Sequence, residues 1–227
     1  MCIRDSSIEH EPIAAKRALA YVPDNPDVYE FMTGMQYLTY LADIFEVPAA
    51  ARVEHIAALA ERLDIAEALT DPISSYSHGM KQKLVIIGAL VHDPTLLVLD
   101  EPFVGLDPVA SHELKLILRE RAEAGAAVFF SSHVLEVVEK LCDELTVIRS
   151  GEVVAQGTVE DICAEPRSLT GQYLSGARKI PVPAKRRAGS GKSLVIRGAS
   201  ENNLKNIDVE IPVSYTHLRA HETLRHL

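Results

Sequence analysis

Tryptophan is absent from the 227-residue chain, and aromatic residues make up only 5% of it. No apolar run reaches the roughly 18 residues that a membrane-spanning helix requires. The three cysteines form no C-x-x-C pair, which disfavours a disulfide framework or a cysteine-based metal site and favours a reduced, cytosolic protein. Residues 1–7 contain no apolar stretch, so we expect no secretory signal.

The overall composition is that of a globular protein, with 47% hydrophobic and 24% charged residues, and disorder or a collagen-like repeat is disfavoured. The charge is uneven, because residues 1–160 carry a net charge of −14 and residues 161–227 a net charge of +5. This change of sign predicts that the C-terminal part is a different kind of segment. On charge alone it is typical of a solvated basic tail.

The two ends of the chain can be encoded by one DNA element read in opposite directions. Codons for residues 1–5 (ATG TGT ATA AGA GAC) have a reverse complement that encodes residues 213–217, Val-Ser-Tyr-Thr-His. That element resembles a transposon-end adapter of sequencing libraries. We therefore expect residues 1–6 and 213–227 to be adapter-like artefacts, which carry no information about the fold.

Apolar strands alternate with helical stretches between the ends. Residues 51–69 and 109–124 have helical periodicity, and the second ends before Gly125. Residues 95–99 and 126–131 are continuous apolar runs, which predict strands buried on both faces. Residues 145–148 and 152–155 alternate around a Ser-Gly turn, as in a hairpin. This order predicts an α/β fold with a largely parallel core sheet.

Two adjacent carboxylates, Asp100 and Glu101, follow the first apolar run. The carboxyl edge of a parallel sheet is where α/β folds bind ligands. There, one carboxylate can hold Mg²⁺ while its neighbour polarises a water for in-line attack on a phosphate. Taken alone, this pair more commonly marks the end of a strand.

Three neighbouring motifs strengthen the interpretation. Upstream, Ser77-His78-Gly79-Met80 opens a helix, where a hydroxyl and backbone amides can bind phosphate. Downstream, Gly105-Leu106-Asp107-Pro108 follows the carboxylates. His133 follows the second apolar run, so the order of strands predicts that its imidazole lies at the same sheet edge. A lone histidine there is more often structural, but the combination of motifs is specific.

These motifs resemble those of the ATP-binding subunit of an ABC transporter over residues 7–157. The pair Asp100-Glu101 matches the Walker B motif, and the helix start at residues 77–80 matches the signature motif. The stretches 21–27, 76–82 and 102–108 resemble the ABC-2 exporter branch. The resemblance implies an incomplete ABC-type nucleotide-binding domain, with a parallel core sheet and a helical subdomain.

The resemblance also implies the catalytic and metal-binding residues. Glu101 corresponds to the general base or water-orienting residue, and His133 to the histidine that contacts the γ-phosphate. Asp100 would serve Mg²⁺. Asp24 stands at the Gln-loop position, where an acid can meet Mg²⁺ or water but cannot donate as an amide does.

The remaining implied residues contact ATP across a head-to-tail dimer. Ser77, His78, Gly79 and Met80 would bind the ATP held mainly by a second nucleotide-binding subunit, and Asp107 would link the two sites. The cofactors implied are ATP and Mg²⁺. The partners implied are that second subunit, together with an ABC-2 membrane permease, which would place the chain in the cytoplasm, on the inner face of the plasma membrane.

A Walker A loop is expected well before Tyr21 in this family, and none precedes it here. We therefore expect the chain by itself to be inactive. The stretch Gly189-Ser190-Gly191-Lys192-Ser193 resembles the end of such a loop, but the first glycine of G-x-x-x-x-G-K-[ST] is replaced by Arg186. It also precedes a strand-like run instead of opening a helix.

The C-terminal part resembles another family. Residues 168–176, 178–183 and 194–212 are similar to the damage-recognition ATPase of the DNA-repair excinuclease. We therefore expect residues 158–212 to be a mostly irregular or β extension joined to the transporter-like part, and the alternative function is that of a DNA-repair ATPase fragment. A genuine transporter subunit with an unusual extension is the other interpretation. The basic cluster at residues 185–187 lacks interleaved aromatics, so we do not expect nucleic acid as a partner.

Overall fold

The computed structural model describes residues 2–3, 6–181 and 191–212. It divides into two compact units, one up to Ala177 and the other from Arg178 onward. The adapter-like stretch 213–227, the basic cluster 185–187 and the first part of the P-loop-like sequence lie outside the described residues. The first unit extends 20 residues past position 157, where we expected the transporter-like part to end, and the origin of residues 158–212 stays a prediction.

The first unit combines short strands with longer helices, and two 3₁₀ segments lie between α3 and α4. In chain order its elements are β1 (Cys2–Ile3), β2 (Ser6–Ser7), α1 (Pro12–Arg17), β3 (Leu19–Val22), α2 (Gly34–Ile44), α3 (Ala49–Arg62), the 3₁₀ segments Ala66–Thr70 and Ile73–Ser75, α4 (His78–Leu90), β4 (Leu96–Leu99), α5 (Pro108–Glu123), β5 (Ala127–Phe130), α6 (Leu135–Leu141), β6 (Leu145–Arg149), β7 (Glu152–Gly157), α7 (Val159–Ala164) and α8 (Leu169–Leu174).

The central sheet is parallel, in the order β3-β4-β5. Its register pairs Val22 with Leu99 and Leu99 with Phe130. The three strands therefore end level with one another, and the residues that follow each strand meet at one edge. This confirms the predicted α/β fold with a parallel core.

One hydrophobic core joins the sheet to helices α2, α3, α4 and α5. The fully buried side chains Leu38, Leu84, Leu97 and Leu114 all belong to it. Helix α4 is buried from residue 82 to residue 88 and again at Leu90, so its body is fixed in the core and its less buried first turn extends from that body. This matters for the site, since that turn carries the residues from 77 to 80.

Two predictions about local structure are wrong. The helix expected over residues 51–69 ends at Arg62, because Asp64 takes a left-handed backbone conformation (φ 54°) and a 3₁₀ segment follows. The strand β5 is not buried on both faces, since the side chain of Phe129 is 65% exposed. Within the described residues β5 pairs only with β4, so it is the outermost strand on that side of the sheet.

The hairpin β6–β7 is antiparallel, as predicted, and its turn contains Ser150 and Gly151, both with positive φ. Two consecutive positive φ angles are what a tight hairpin turn with the right-handed strand twist requires. Helix α7 packs its buried Ile162 against this hairpin. Helix α8 lies against α7, where Gly171 is so close to the Ile162 carbonyl that no side chain fits.

The second unit contains a described antiparallel hairpin, β8 (Ser193–Ala199) and β9 (Ile207–Pro212). Its register places Leu194 opposite Ile211 and Ile196 opposite Val209, so one face of the hairpin is apolar. This agrees with the predicted β extension. No helix among the described residues of the chain is long and apolar enough to cross a membrane.

Candidate functional site

Polar side chains follow each of the two strands β4 and β5 at the level edge of the parallel sheet. Asp100 and Glu101 come directly after β4, and Ser131 and His133 follow β5. The ladder continues into them, because the Asp100 amide donates to the Val22 carbonyl and the Ser131 amide donates to the Leu99 carbonyl. We call these four residues (Asp100, Glu101, Ser131 and His133) the sheet edge.

The Ser131 hydroxyl bridges the two carboxylate residues. Its Oγ donates to Oδ1 of Asp100 at 2.6 Å and accepts the backbone N–H of Glu101 at 2.9 Å. A hydroxyl can do both at once because it has one hydrogen to donate and lone pairs to accept. One side chain from the end of β5 thereby fixes two consecutive residues at the end of β4.

Glu101 has an unusual backbone conformation. Its φ is 44°, in the left-handed region that non-glycine residues rarely occupy. The Glu101 carbonyl accepts from the Val104 amide at 3.0 Å. Its carboxylate accepts from Nδ1 of His133 at 2.9 Å, which leaves Nε2 of the same ring for another partner. As predicted, the imidazole lies at the same edge as the carboxylates.

Asp24 lies two residues beyond the end of β3 and is exposed. Among the described residues, no group of three or more His, Cys, Asp or Glu side chains is arranged to hold a metal ion by itself. Mg²⁺ is usually bound by one or two carboxylates and completed by waters and substrate phosphates. The oxygen donors of Asp100 and Asp24 fit that ion.

The first turn of α4 carries the residues from 77 to 80. Ser77 is the N-cap residue, and its Oγ accepts the Met80 amide at 3.3 Å. The backbone amides of His78 and Gly79 belong to the helix start, where amides have no partner within the helix. With the Ser77 hydroxyl, they form a donor set that fits a phosphate. The Met80 amide, in contrast, is bonded within the turn.

This turn packs against the loop that follows Glu101. A Cβ atom on Gly79 would lie 2.5 Å from the Gly105 carbonyl oxygen, and a Cβ atom on Gly105 would lie 2.6 Å from Cδ2 of His78. Gly105 also has a φ of 79°. Glycine is required at both positions, and the His78 ring lies over Gly105.

Asp107 uses both of its carboxylate oxygens within the chain. Its Oδ1 accepts the amides of Val109 and Ala110, which caps helix α5, and its Oδ2 pairs with Nζ of Lys83 at 2.8 Å. The hydrogen bond from Lys83 is the main reason that the pKa of Asp107 lies below its usual range. We call Gly79, Lys83, Gly105 and Asp107 the helix–loop joint.

Two residues of the site were not found from the sequence. Ser131 was seen only as part of the strand end, although its position level with Asp100 follows once the register is known. Lys83 lies one helical turn after Gly79, and its partner is 24 positions away, so sequence spacing gave no signal. The geometry brings Asp100, Glu101 and His133 together and brings residues 78 and 79 against Gly105.

The chain is similar to known ABC proteins. The family model described as ABC transporter matches residues 3–104. A solved structure described as the ATP binding subunit of an ABC transporter is 30% identical, covering 78% of this chain and 75% of that chain, with a TM-score of 0.70. The chain belongs to the ABC transporter ATP-binding family.

Curated relatives are named as ATP-binding proteins. The uncharacterized ABC transporter ATP-binding protein all4389 of Nostoc is 36% identical over 73% of this chain and 50% of the relative. The linearmycin resistance ATP-binding protein LnrL of Bacillus subtilis is 32% identical over 69% of this chain and 50% of the relative. The chain therefore spans about half the length of these relatives. The match supports the ABC-type fold inferred from residues 77–80, 100–107 and 133.

Proposed function

We propose that this chain carries the catalytic half of an ATP-binding and ATP-hydrolysing subunit of an ABC-2-type transporter, which powers export through a membrane partner. The observation that carries the proposal is the contact between the Glu101 carboxylate and Nδ1 of His133, beside Asp100, at the carboxyl edge of the sheet. A carboxylate held by an imidazole next to a second carboxylate is suited to activating water against a phosphate.

In this proposal three residues of the sheet edge have separate tasks. Glu101 orients the attacking water and receives its proton. His133 would hold Glu101 through Nδ1 and, with a hydrogen on each ring nitrogen, would donate from Nε2 to the γ-phosphate. Asp100 would hold Mg²⁺ through its carboxylate, whose Oδ1 also accepts from Ser131. When bound, Mg-ATP supplies the phosphoanhydride bond and the cation that neutralises charge on the phosphates.

The start of α4 has a binding task and no chemical one. Ser77 and the amides of His78 and Gly79 would contact ATP held mainly by a second nucleotide-binding subunit in a head-to-tail dimer. Met80 would contribute through packing, because its amide is bonded to Ser77. Asp107 would link the two sites through the contacts it already makes with Lys83 and α5. Closure on ATP would bias a two-state equilibrium of the permease.

The proposal places the subunit in the cytoplasm, on the inner face of the plasma membrane, through its ABC-2 permease. Asp24 would contact Mg²⁺ or water. Because its carboxylate cannot donate a hydrogen bond as the amide of a glutamine does, the subunit would be coupled to the permease differently from a subunit with glutamine in the Gln loop. The 227 residues contain no complete G-x-x-x-x-G-K-[ST] sequence, and we propose that the chain by itself does not bind Mg-ATP specifically.

A titration of the 227-residue chain with a fluorescent ATP analogue in Mg²⁺ tests that last statement. We expect no saturable binding at physiological nucleotide concentration. Saturable binding with micromolar affinity, competed by unlabelled ATP, would contradict it.

A hybrid tests the activity itself. The segment of the Nostoc relative all4389 that precedes its match to this chain would be joined ahead of residue 7, and released phosphate would be measured. We expect the hybrid to hydrolyse Mg-ATP. A folded hybrid that binds Mg-ATP and releases no phosphate would contradict the proposal.

The alternative, a fragment of an excinuclease-type DNA-repair ATPase, is not favoured by the comparisons, in which several curated relatives are described as ABC transporter ATP-binding proteins. It rests on residues 163–212 alone. We propose that this stretch was joined to the transporter-like part, and uninterrupted sequencing of the source DNA across residue 157 tests it. A continuous open reading frame there would contradict a join.

A further inference from the structure

The two side-chain hydrogen bonds of Ser131 indicate a role beyond its place at the end of β5. Its Oγ donates to Oδ1 of Asp100 and accepts the N–H of Glu101. These are the two residues to which the proposed function gives the metal and the attacking water. Ser131 touches neither a phosphate nor the water in that scheme, so any effect it has must act through its neighbours.

The backbone of Glu101 needs such a restraint. A left-handed conformation in a non-glycine residue costs about 1–2 kcal/mol, and it persists where surrounding contacts over-determine it. Two backbone bonds flank Glu101, one from its N–H to Ser131 and one to its carbonyl from Val104. Only the first depends on a side chain. Loss of the Ser131 hydroxyl would remove the hydrogen bond that restrains the Glu101 N–H on the side of β5.

The neighbouring Ser132 provides an internal comparison. Its Oγ accepts the Val134 amide at 3.1 Å, which is a local bond just before α6 begins. It makes no contact with either carboxylate in the described part of the chain. The two serines have the same side chain and both follow β5. They differ because the Ser131 hydroxyl is hydrogen-bonded to the residues after β4 and the Ser132 hydroxyl is bonded to Val134.

We propose that Ser131 is a positioning residue that holds Asp100 and Glu101 in the geometry required for water activation. By donating to Oδ1 it fixes the rotation of the Asp100 carboxylate, which would hold the metal. By accepting the Glu101 amide it fixes the backbone from which the carboxylate reaches His133. This inference rests on the proposed function for its catalytic consequence, whereas the fixing of Glu101 can be measured without nucleotide.

The first test uses the full 227-residue chain and hydrogen exchange of the Glu101 amide, followed by NMR. Ser131→Ala should speed exchange of that amide about five- to tenfold, the effect of losing one net hydrogen bond. Ser131→Thr keeps a hydroxyl and should stay within about twofold of the unmutated chain, and Ser132→Ala should leave the Glu101 amide unchanged. Because Ser131 is exposed, the variants are expected to fold. Unchanged exchange in Ser131→Ala would overturn the inference.

The second test measures turnover in the hybrid. Ser131→Ala should lower kcat roughly 10- to 100-fold, as expected when a catalytic group is misplaced. KM for ATP should change little, and Ser131→Thr should restore kcat. Equal turnover in Ser131→Ala and Ser132→Ala, in an active hybrid, would overturn the catalytic part. An inactive unmutated hybrid would instead defeat the proposed function, and the amide exchange would still decide whether Ser131 fixes Glu101.

Discussion

The helix–loop joint and the sheet edge are held together in different ways. In the helix–loop joint, a Cβ atom on Gly79 would meet the Gly105 carbonyl and one on Gly105 would meet the His78 ring, and the side chain of Lys83 is only 9% exposed. In the sheet edge, His133 is 72% exposed and the contacts are single hydrogen bonds. The part that would bind ATP is fixed by packing, and the part that would perform chemistry is fixed by a few polar contacts. Mutations should therefore lower stability at the joint and activity at the edge.

The largest effect on stability is expected from Gly79→Ala. The new Cβ atom would meet a backbone carbonyl that cannot rotate away, and overpacking of this kind costs about 1–3 kcal/mol. Gly125→Ala tests a different cost, because Gly125 has a left-handed φ of 95° but no atom within 4 Å of an added Cβ, so it reports backbone strain of about 1–2 kcal/mol without a steric clash. Urea unfolding measures both. A change of less than about 0.5 kcal/mol in Gly79→Ala would show that the joint is not tightly packed.

A smaller effect is expected from separating Lys83 from Asp107. Asp107→Asn keeps a good N-cap residue and leaves a buried ammonium without its partner, which should destabilise the chain by about 1 kcal/mol after allowance for the partial exposure of Asp107. Lys83→Met removes the charge in a similar volume and should be nearly neutral. If Lys83→Met destabilises as much as Asp107→Asn, the ion pair is not the cause.

This ion pair also predicts a dependence on pH. The pKa of Asp107 is lower in the folded chain than in the unfolded chain, chiefly because of the hydrogen bond from Lys83. Its contribution to stability is therefore present above the unfolded pKa of about 3.9 and is lost as pH falls through the folded pKa. The difference in unfolding free energy between the unmutated chain and Asp107→Asn should shrink below about pH 4. A constant difference from pH 7 to pH 3 would contradict this.

The smallest effect on stability is expected from His133→Ala at the sheet edge. Its ring is largely exposed, so urea unfolding should change by less than about 0.5 kcal/mol. Turnover of the hybrid should nevertheless fall at least tenfold, because Glu101 loses the group that holds its carboxylate. A His133→Ala hybrid with normal turnover would show that this contact has no role in activity.

The sequence predicted the parallel core and the meeting of Asp100, Glu101 and His133, because both depend on local apolar runs and on the level ends of parallel strands. It could not predict the role of Ser131, since that depends on the register between β4 and β5. The pairing of Lys83 with Asp107 depends on how α4 packs against the loop, and the exposure of Phe129 depends on which strands lie beside β5. These are tertiary contacts, for which residue spacing carries no signal.

The central claim is that Glu101 is the catalytic carboxylate of an ATP-hydrolysing site. Its most direct test is the turnover of the hybrid with Glu101→Gln, compared with Glu123→Gln at the exposed end of α5. We predict that Glu101→Gln lowers kcat roughly 100-fold or more, the usual contribution of a general base, while Mg-ATP affinity changes little and Glu123→Gln has normal turnover. Equal turnover in the two variants would contradict the claim.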